Sequence, residues 1–451
     1  MKREPVPPVI EIERASKRLG VTLNSGQQKA ALEILESVKL RRFHLLTGFA
    51  GSGKTTLVQV LMLALSARRV TMAGTAPTHK AVGVLSKKVK STGVEASFVT
   101  LQSLLGLKPQ HQEDRLTFIR DKNASFIDAD VVFIDEISMA GRDLMGFVRR
   151  LLAGRAVIFV GDPAQLPPVG EARSEAFDIP NASHLGELVR QAAGNPIVEA
   201  ALVLRGCQGS AMDWSWCREA KAPPFGVYKP DANLDRWLYR GFTSSDFDAD
   251  PDTYRYAAWT NQRVAEVNRK VQAWKYGTDL DTPFAVSERV LLRAPVIQEK
   301  VLVANTNEEP TVLAIGQGEQ AVTFHEVGSA GKWKATIPTW AMKLRTEDGL
   351  EIDVQAVAST RDYDAALRRL AEEAKNERSR WADYHRFRER FAVMQGIAAQ
   401  TVHNLQGSTV RNIFIDVPDI RRRVAGNLLE AQQLYYTAFT RPTHAAMLVG
   451  V

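Results

Sequence analysis

Apolar positions along this chain gather into short runs, and each run is followed by a stretch of helical character. "FHLLT" (Phe43–Thr47), "VVFI" (Val131–Ile134) and "AVIFV" (Ala156–Val160) are mostly aliphatic, which predicts strands buried on both faces of a parallel sheet. "VTMAGTAP" (Val70–Pro77) predicts a further strand, and "TTLVQVLMLAL" (Thr55–Leu65) predicts a helix after the first run. Strand and helix therefore alternate in the βαβ rhythm of a doubly wound α/β domain. "RNIFIDV" (Arg411–Val417) and "AAMLVGV" (Ala445–Val451) predict late strands of a second such domain. Ahead of these late strands, from Glu288 onward, short β-rich runs separated by turn residues break the rhythm.

A different period follows. Gly and Pro are absent from Leu350 to Gln395, and apolar residues at Leu367, Leu370, Ala374, Trp381, Tyr384 and Phe391 mark an amphipathic helix, or two helices meeting near Asn376. One helix would be roughly 45 Å long at ~1.5 Å per residue. Nine Lys/Arg against seven Asp/Glu in Arg361–Phe391 make a nearly balanced solvated face, which fits a strut better than a basic arm; a protein-docking surface is the alternative.

Composition narrows the class. With 451 residues the chain exceeds one ordinary core, so two or three domains are expected. No apolar run is long enough to span a bilayer, and the charged, proline-bearing start has no secretory apolar region. The two cysteines, Cys207 and Cys217, lack metal-ligand spacing and are expected as free thiols. A net charge of +7 favours a polyanionic partner, nucleic acid first.

The chemistry begins at "LLTGFAGSGKTTL" (Leu45–Leu57), a G-x-x-x-x-G-K-[ST] loop between a predicted strand and helix. Gly48, Ala50, Gly51, Ser52, Gly53 and Thr56 are expected to wrap the phosphates of ATP with backbone N–H groups, because glycine permits close approach and a helix N-terminus favours negative charge. Lys54 is expected on the β/γ-phosphates and Thr55 on Mg²⁺. "VVFIDE" delivers Asp135 and Glu136 to a strand's carboxyl end, where open α/β sheets bind ligands. Asp135 suits the Mg²⁺ shell, and Glu136 is placed to orient or deprotonate water. Past the third strand, "GDPAQLPPV" (Gly161–Val169) fences Gln165 with prolines that stiffen its loop.

"TAPTHKAV", "VTLQSLLG", "IDEISM", "GDPAQLPPV", "ELVRQ", "AAWTNQRVAEVNRKV", "AQTVHNLQGSTV" and "QLYYTAFTR" occur in this order. Together they resemble the ordered motifs of superfamily 1B DNA helicases of the Dda-like and RecD-like type, from about Leu23 to the C-terminus. The resemblance implies ATP-driven travel on single-stranded DNA, 5′-to-3′, with unwinding of forked duplexes. It puts Gln27 of "LNSGQQKA" on adenine, although a plain helix-surface glutamine is the alternative. It assigns Gln165 to the γ-phosphate or lytic water, and Arg190 and Arg441 to completion of the site from the second domain. It assigns Pro77, Thr78, His79, Lys80, Thr100, Gln102, Ser103, Thr401, His403, Asn404 and Gln406 to the nucleic-acid track. Such hydroxyl, amide and imidazole groups suit contacts that ignore base sequence, and the same Thr and Ser residues also suit helix N-caps. Many family members carry His at the position of Gln102 and Lys at that of Asn404, and Pro442 after Arg441 is atypical, so the details of the grip differ here.

The implied architecture is two RecA-like domains with parallel sheets. Residues 1–22 form a tail and residues 23–186 the first domain, with a hairpin insertion at about 105–124 that in the family splits the duplex. Residues 187–284 and 393–451 form the second, interrupted by an SH3-like barrel and helical tower at 285–392. A monomer in a bacterial or phage-infected cytoplasm is implied, with replication or recombination proteins as partners and no membrane. Sequence-blind grips leave an RNA or RNA–DNA helicase open, as they do an ATP-gated nucleic-acid clamp or loader that switches without travelling.

Overall fold

The computed structural model describes residues 6–451 apart from 113–114, 122–126, 190–193, 208–212, 221–224, 232, 279, 299–300 and 326–331. Strands are numbered in chain order. The first lobe contributes β1 (Phe43–Gly48), β2 (Met72–Ala76), β3 (Ser97–Thr100), the hairpin pair β4 (Leu107–Gln112) and β5 (Arg115–Arg120), then β6 (Val131–Ile134), β7 (Ala156–Gly161) and β8 (Ala182–Leu185). The second lobe begins with β9 (Arg218–Ala220), β10 (Gly226–Pro230) and β11 (Tyr254–Ala258).

An insertion follows: β12 (Val290–Leu292), β13 (Val296–Gln298), β14 (Val301–Ala304), β15 (Thr311–His325), β16 (Lys332–Arg345), β17 (Glu351–Val357), then two helices and β18 (Met394–Gly396). The second lobe closes with β19 (Ala399–Thr401), β20 (Val410–Asp416) and β21 (Pro442–Val449).

Each lobe is a six-stranded, all-parallel sheet. The first runs β3-β2-β6-β7-β1-β8, the second β19-β11-β20-β21-β10-β9. Successive side chains of a strand point to opposite faces, so each central strand feeds two cores. On β7, Ile158 and Val160 pack with the helix Lys54–Ala67, whereas Val157 and Phe159 pack with the helix Arg142–Leu151. Apolarity on both faces is why these runs read as unbroken in the sequence.

The order β6-β7-β1 has a functional consequence. The loops that carry Asp135–Glu136, Asp162–Gln165 and the glycine-rich segment leave adjacent strand ends, on one edge of one sheet.

The insertion holds antiparallel pairs β12–β18 and β13–β14 and a three-stranded sheet β15–β16–β17. One apolar core under them includes Val290, Leu292, Val312, Met342 and Leu344. The far halves of β15 and β16 extend beyond this core and carry Val322, Phe324 and Ile337 against Leu370 and Phe387. Those two side chains belong to separate helices, Thr360–Asn376 and Trp381–Arg388, joined by a short 3₁₀ turn. Of the two expectations, the two-helix form is the one observed, because Glu377 adopts an extended backbone (φ −134°, ψ 103°). This projection is thus half hairpin and half helix, and its helix Trp381–Arg388 contacts β4 of the first lobe. The tip of the β4–β5 hairpin lies outside the described residues.

Candidate active site and nucleic-acid track

Glycine makes the loop after β1 possible. Gly51 and Gly53 have φ of 84° and 82°, and a Cβ at Gly53 would stand 2.3 Å from Gln27 Nε2, while one at Gly48 would stand 2.5 Å from Ser52 Oγ. Lys54 Nζ folds over the loop and donates to the carbonyls of Gly48 and Phe49 at 2.6 and 3.1 Å. Burial pushes the Lys54 ammonium below its usual pKa, with Asp162, Glu136 and Asp135 pulling the other way. Among the described residues, Ser52 Oγ is buried without a hydrogen-bond partner. A cradle that only glycine can form, lined by an unpaired hydroxyl and a lysine, fits a polyphosphate.

Gln27 is not a surface residue. It is 2% exposed and closes a capping box with Asn24, and its Nε2 donates to Ser52 O at 3.0 Å. Its Oε1 already accepts the Asn24 N–H at 3.1 Å, so its amide braces the loop from behind.

Asp135 and Glu136 follow β6. Glu136 sits in the left-handed region (φ 50°), a strained conformation for a non-glycine residue that functional sites tolerate. Its N–H donates to Asp135 Oδ1 at 2.8 Å. Burial, and then the neighbouring Glu136 charge, raise the Asp135 pKa to about 6. A cation would relieve that cost, and the chemistry of Asp135 and of Thr55, in the first turn of the helix Lys54–Ala67, suits Mg²⁺.

Gln165 is 7% exposed and stands between the lobes. In the amide orientation that satisfies both neighbours, Nε2 donates to Glu136 Oε2 at 3.0 Å and Oε1 accepts from Arg441 Nη2 at 3.1 Å. Arg441 Nη1 lies 3.5 Å from Glu136 Oε1 and donates to Ser408 O at 3.3 Å. Arg441 is itself held by Thr437 O and Thr440 Oγ1, at 3.2 and 3.0 Å from Nε. Glu136, Gln165 and Arg441 are therefore one contact group drawn from both lobes. Arg190 lies outside the described residues.

The loop 162–166 is gripped by the second lobe throughout. Leu166 is fully buried in that lobe's core beside Val402, Leu405 and Leu434. Its N–H donates to Thr437 Oγ1 at 3.3 Å and its carbonyl accepts from Gln406 Nε2 at 3.2 Å. Burying one leucine contributes roughly 1.5–3 kcal/mol against about 1 kcal/mol per neutral hydrogen bond, so the leucine anchors the loop and the polar contacts set its position.

The other residues expected on nucleic acid divide. Thr78 caps the helix His79–Lys90 and Thr100 caps Leu101–Leu104, each accepting a backbone N–H, so their hydroxyls have helix-capping work. Pro77 is half-buried, and His79 and Ser103 are exposed. Thr401 is 7% exposed, and burial lowers the pKa of half-buried His403. Gln102 Oε1 and Asn404 Nδ2 are buried without a partner among the described residues, which leaves hydrogen-bonding capacity at the two atypical positions.

Lys80 meets both Asp252 and Glu309 at 3.4 Å, and Glu309 also takes the buried Arg255 at 2.8 and 2.9 Å. Lobe 1, lobe 2 and the insertion converge there.

Gln406, expected on the track, is 5% exposed, and its Nε2 donates to Leu166 O, which places it at the lobe interface. Its loop turns inward at Gly407, where a Cβ would meet Ala81 Cβ at 2.8 Å. The sequence reading passed over Asp162, Arg205 and Tyr436. A carboxylate ending an apolar strand was the only local signal, and nothing local marks its partners.

An AAA domain family model matches residues 22–218. The ATP-dependent DNA helicase dda of Enterobacteria phage T4 is 25% identical over 93% of this chain and 97% of its own length. The ATP-dependent RecD2 DNA helicase of Deinococcus radiodurans is 32% identical over 42% of this chain, but that match spans only 25% of the relative. Among solved structures, Bacteroides Pif1 bound to single-stranded DNA superposes with a TM-score of 0.50 at 17% identity, covering 95% of this chain and 92% of that one. Fold and site define a P-loop nucleotide hydrolase with two RecA-like lobes. Within that class, the chain is similar to DNA helicases of the dda and RecD2 type.

Proposed function

We propose that the chain is an ATP-dependent DNA helicase that travels 5′-to-3′ on single-stranded DNA and opens forked duplexes. The observation that carries this reading is the Glu136–Gln165–Arg441 group, in which the general base and a guanidinium from the opposite lobe meet through one amide. Glu136 takes a proton from the attacking water, and Gln165 holds that carboxylate in place. Arg441 places a fixed positive charge where phosphoryl transfer builds negative charge, and it does so only while the lobes are closed. Lys54 and the loop N–H groups hold the phosphates. Thr55 and Asp135 would hold Mg²⁺, which supplies charge neutralisation at the phosphate oxygens.

Travel follows from the geometry of the same loop. Leu166 and Gln406 tie the hydrolytic site to the segment 401–408, on which Thr401, His403 and Asn404 are the proposed contacts with the strand. Pro77, Thr78, His79, Lys80, Thr100, Gln102 and Ser103 form the grip of the first lobe. The β4–β5 hairpin serves as the pin, and the insertion as an SH3-like barrel with its tower, bracing the pin through the helix Trp381–Arg388. A monomer in a bacterial or phage-infected cytoplasm, meeting replication or recombination proteins, completes the reading.

The test offers duplexes with a 5′ or a 3′ single-stranded tail, with Mg²⁺-ATP, to wild type and Glu136→Gln. Unwinding from the 5′ tail alone, lost in the variant, is expected. Unwinding only from the 3′ tail overturns the polarity, and full ATPase in Glu136→Gln overturns the role of that carboxylate.

A further inference from the structure

Asp162 has contacts that the hydrolytic group above does not use. Its carboxylate, just past β7 on the first lobe, is 1% exposed. Arg205 Nη1, from the helix Pro196–Gly206, donates to Oδ1 and Oδ2 at 2.8 and 2.9 Å. The Tyr436 hydroxyl, from the helix Leu428–Phe439, donates to Oδ2. Both donors come from the second lobe. The same Tyr436 oxygen accepts the Ala50 N–H at 3.1 Å, inside the phosphate loop. Arg205 also stands 5.8 Å from the Phe49 ring centroid on that loop.

We infer that Tyr436 and Arg205 are positioning residues for nucleotide hydrolysis, fixing the phosphate loop against the second lobe through Asp162 and Ala50. The inference rests on the hydrolase reading given above. A buried carboxylate must be compensated by partners. Partners from its own lobe would serve folding equally well. Partners from the other lobe make the compensation conditional on lobe closure, so the contact is strongest when the site is assembled.

The hydroxyl of Tyr436 is the informative atom. Its ring is 1% exposed within the second lobe's core, and a phenylalanine would pack there as well. The oxygen instead meets Ala50 and Asp162 of the first lobe, with Arg205 at 3.4 Å as a third neighbour. Asp162 in turn heads the charges that favour the Lys54 ammonium, so the relay ends on the residue that faces phosphate.

Steady-state ATPase with saturating oligo-dT and Mg²⁺ tests this in wild type, Tyr436→Phe and Arg205→Lys, with thermal melting of each and Glu136→Gln as the reference variant. Tyr436→Phe is expected to lower kcat about tenfold, the scale of hydrogen bonds to a charged group, while KM for ATP and the melting temperature stay near wild type. Arg205→Lys keeps the charge and is expected to retain more kcat than Tyr436→Phe. Wild-type kcat in Tyr436→Phe overturns the inference, as does a melting temperature that falls in step with kcat. An inactive wild type, or an active Glu136→Gln, overturns the hydrolase reading instead.

Discussion

The Gln406 amide of the second lobe donates to the Leu166 carbonyl of the first at 3.2 Å, and both residues are buried. A side chain expected to touch nucleic acid is thereby part of the joint between the lobes. Gln406→Leu keeps the bulk and leaves the carbonyl unpaired. Its affinity for single-stranded DNA without nucleotide, and the salt slope of that affinity, should match wild type, because no phosphate contact is lost. Stimulation of ATPase by DNA should fall about fivefold, the cost of one orphaned buried acceptor. A weakened, flatter salt dependence with normal stimulation would return Gln406 to the track.

Gln165 joins Glu136 to Arg441, and its loop is stiffened by Pro163, Pro167 and Pro168. Gln165→Ala should reduce kcat and unwinding roughly ten- to hundredfold, the range for a lost transition-state donor, while ATP binding changes little. Equilibrium titration of a fluorescent ATP analogue, set beside single-turnover hydrolysis, separates the two effects. Loss of binding with coupling intact would make the glutamine a ligand anchor.

His44 on β1 is 3% exposed, with Nδ1 2.9 Å from Ser37 Oγ and Nε2 2.9 Å from Ser183 Oγ. Burial lowers its pKa below the ordinary 6.5, and Glu33 opposes this only in part. The unfolded chain then binds the proton more readily than the folded one. The contribution to stability is complete above about pH 6.5 and is lost as pH falls from there toward the folded pKa. Urea midpoints at pH 7.5 and 5.5 should show a larger acid loss for wild type than for His44→Asn. Equal losses in the two proteins would show that this imidazole does not set the acid limb.

The phosphate side of the site was legible because its signals are local. A glycine spacing, a lysine and two carboxylates at strand ends each declare themselves within a dozen residues, and strand order then brings their loops to one edge. Gln27 was legible only by type, since its burial depends on a loop twenty-five residues away. The paired hydroxyls of Thr78 and Thr100 illustrate a different limit: capping and strand contact ask for the same residue at the same place, and pattern cannot divide them. Amphipathic spacing over Leu367–Phe391 predicts helix because it reports one face of an element and not what covers it. Its partner proved to be the extended end of the β15–β16 hairpin.

By itself the sequence determined two parallel α/β lobes, the glycine-rich cradle with Lys54 and Thr55, and the acidic pair Asp135–Glu136, because backbone geometry and strand burial are properties of neighbouring residues. Only the tertiary structure decided that Arg441 and Gln165 share Glu136, that Leu166 is buried in the opposite lobe, and that Asp162 answers to Arg205 and Tyr436. These pairings join residues up to 305 positions apart. They arise where two separately folded surfaces meet, and no local period or propensity records which polar groups will face each other there.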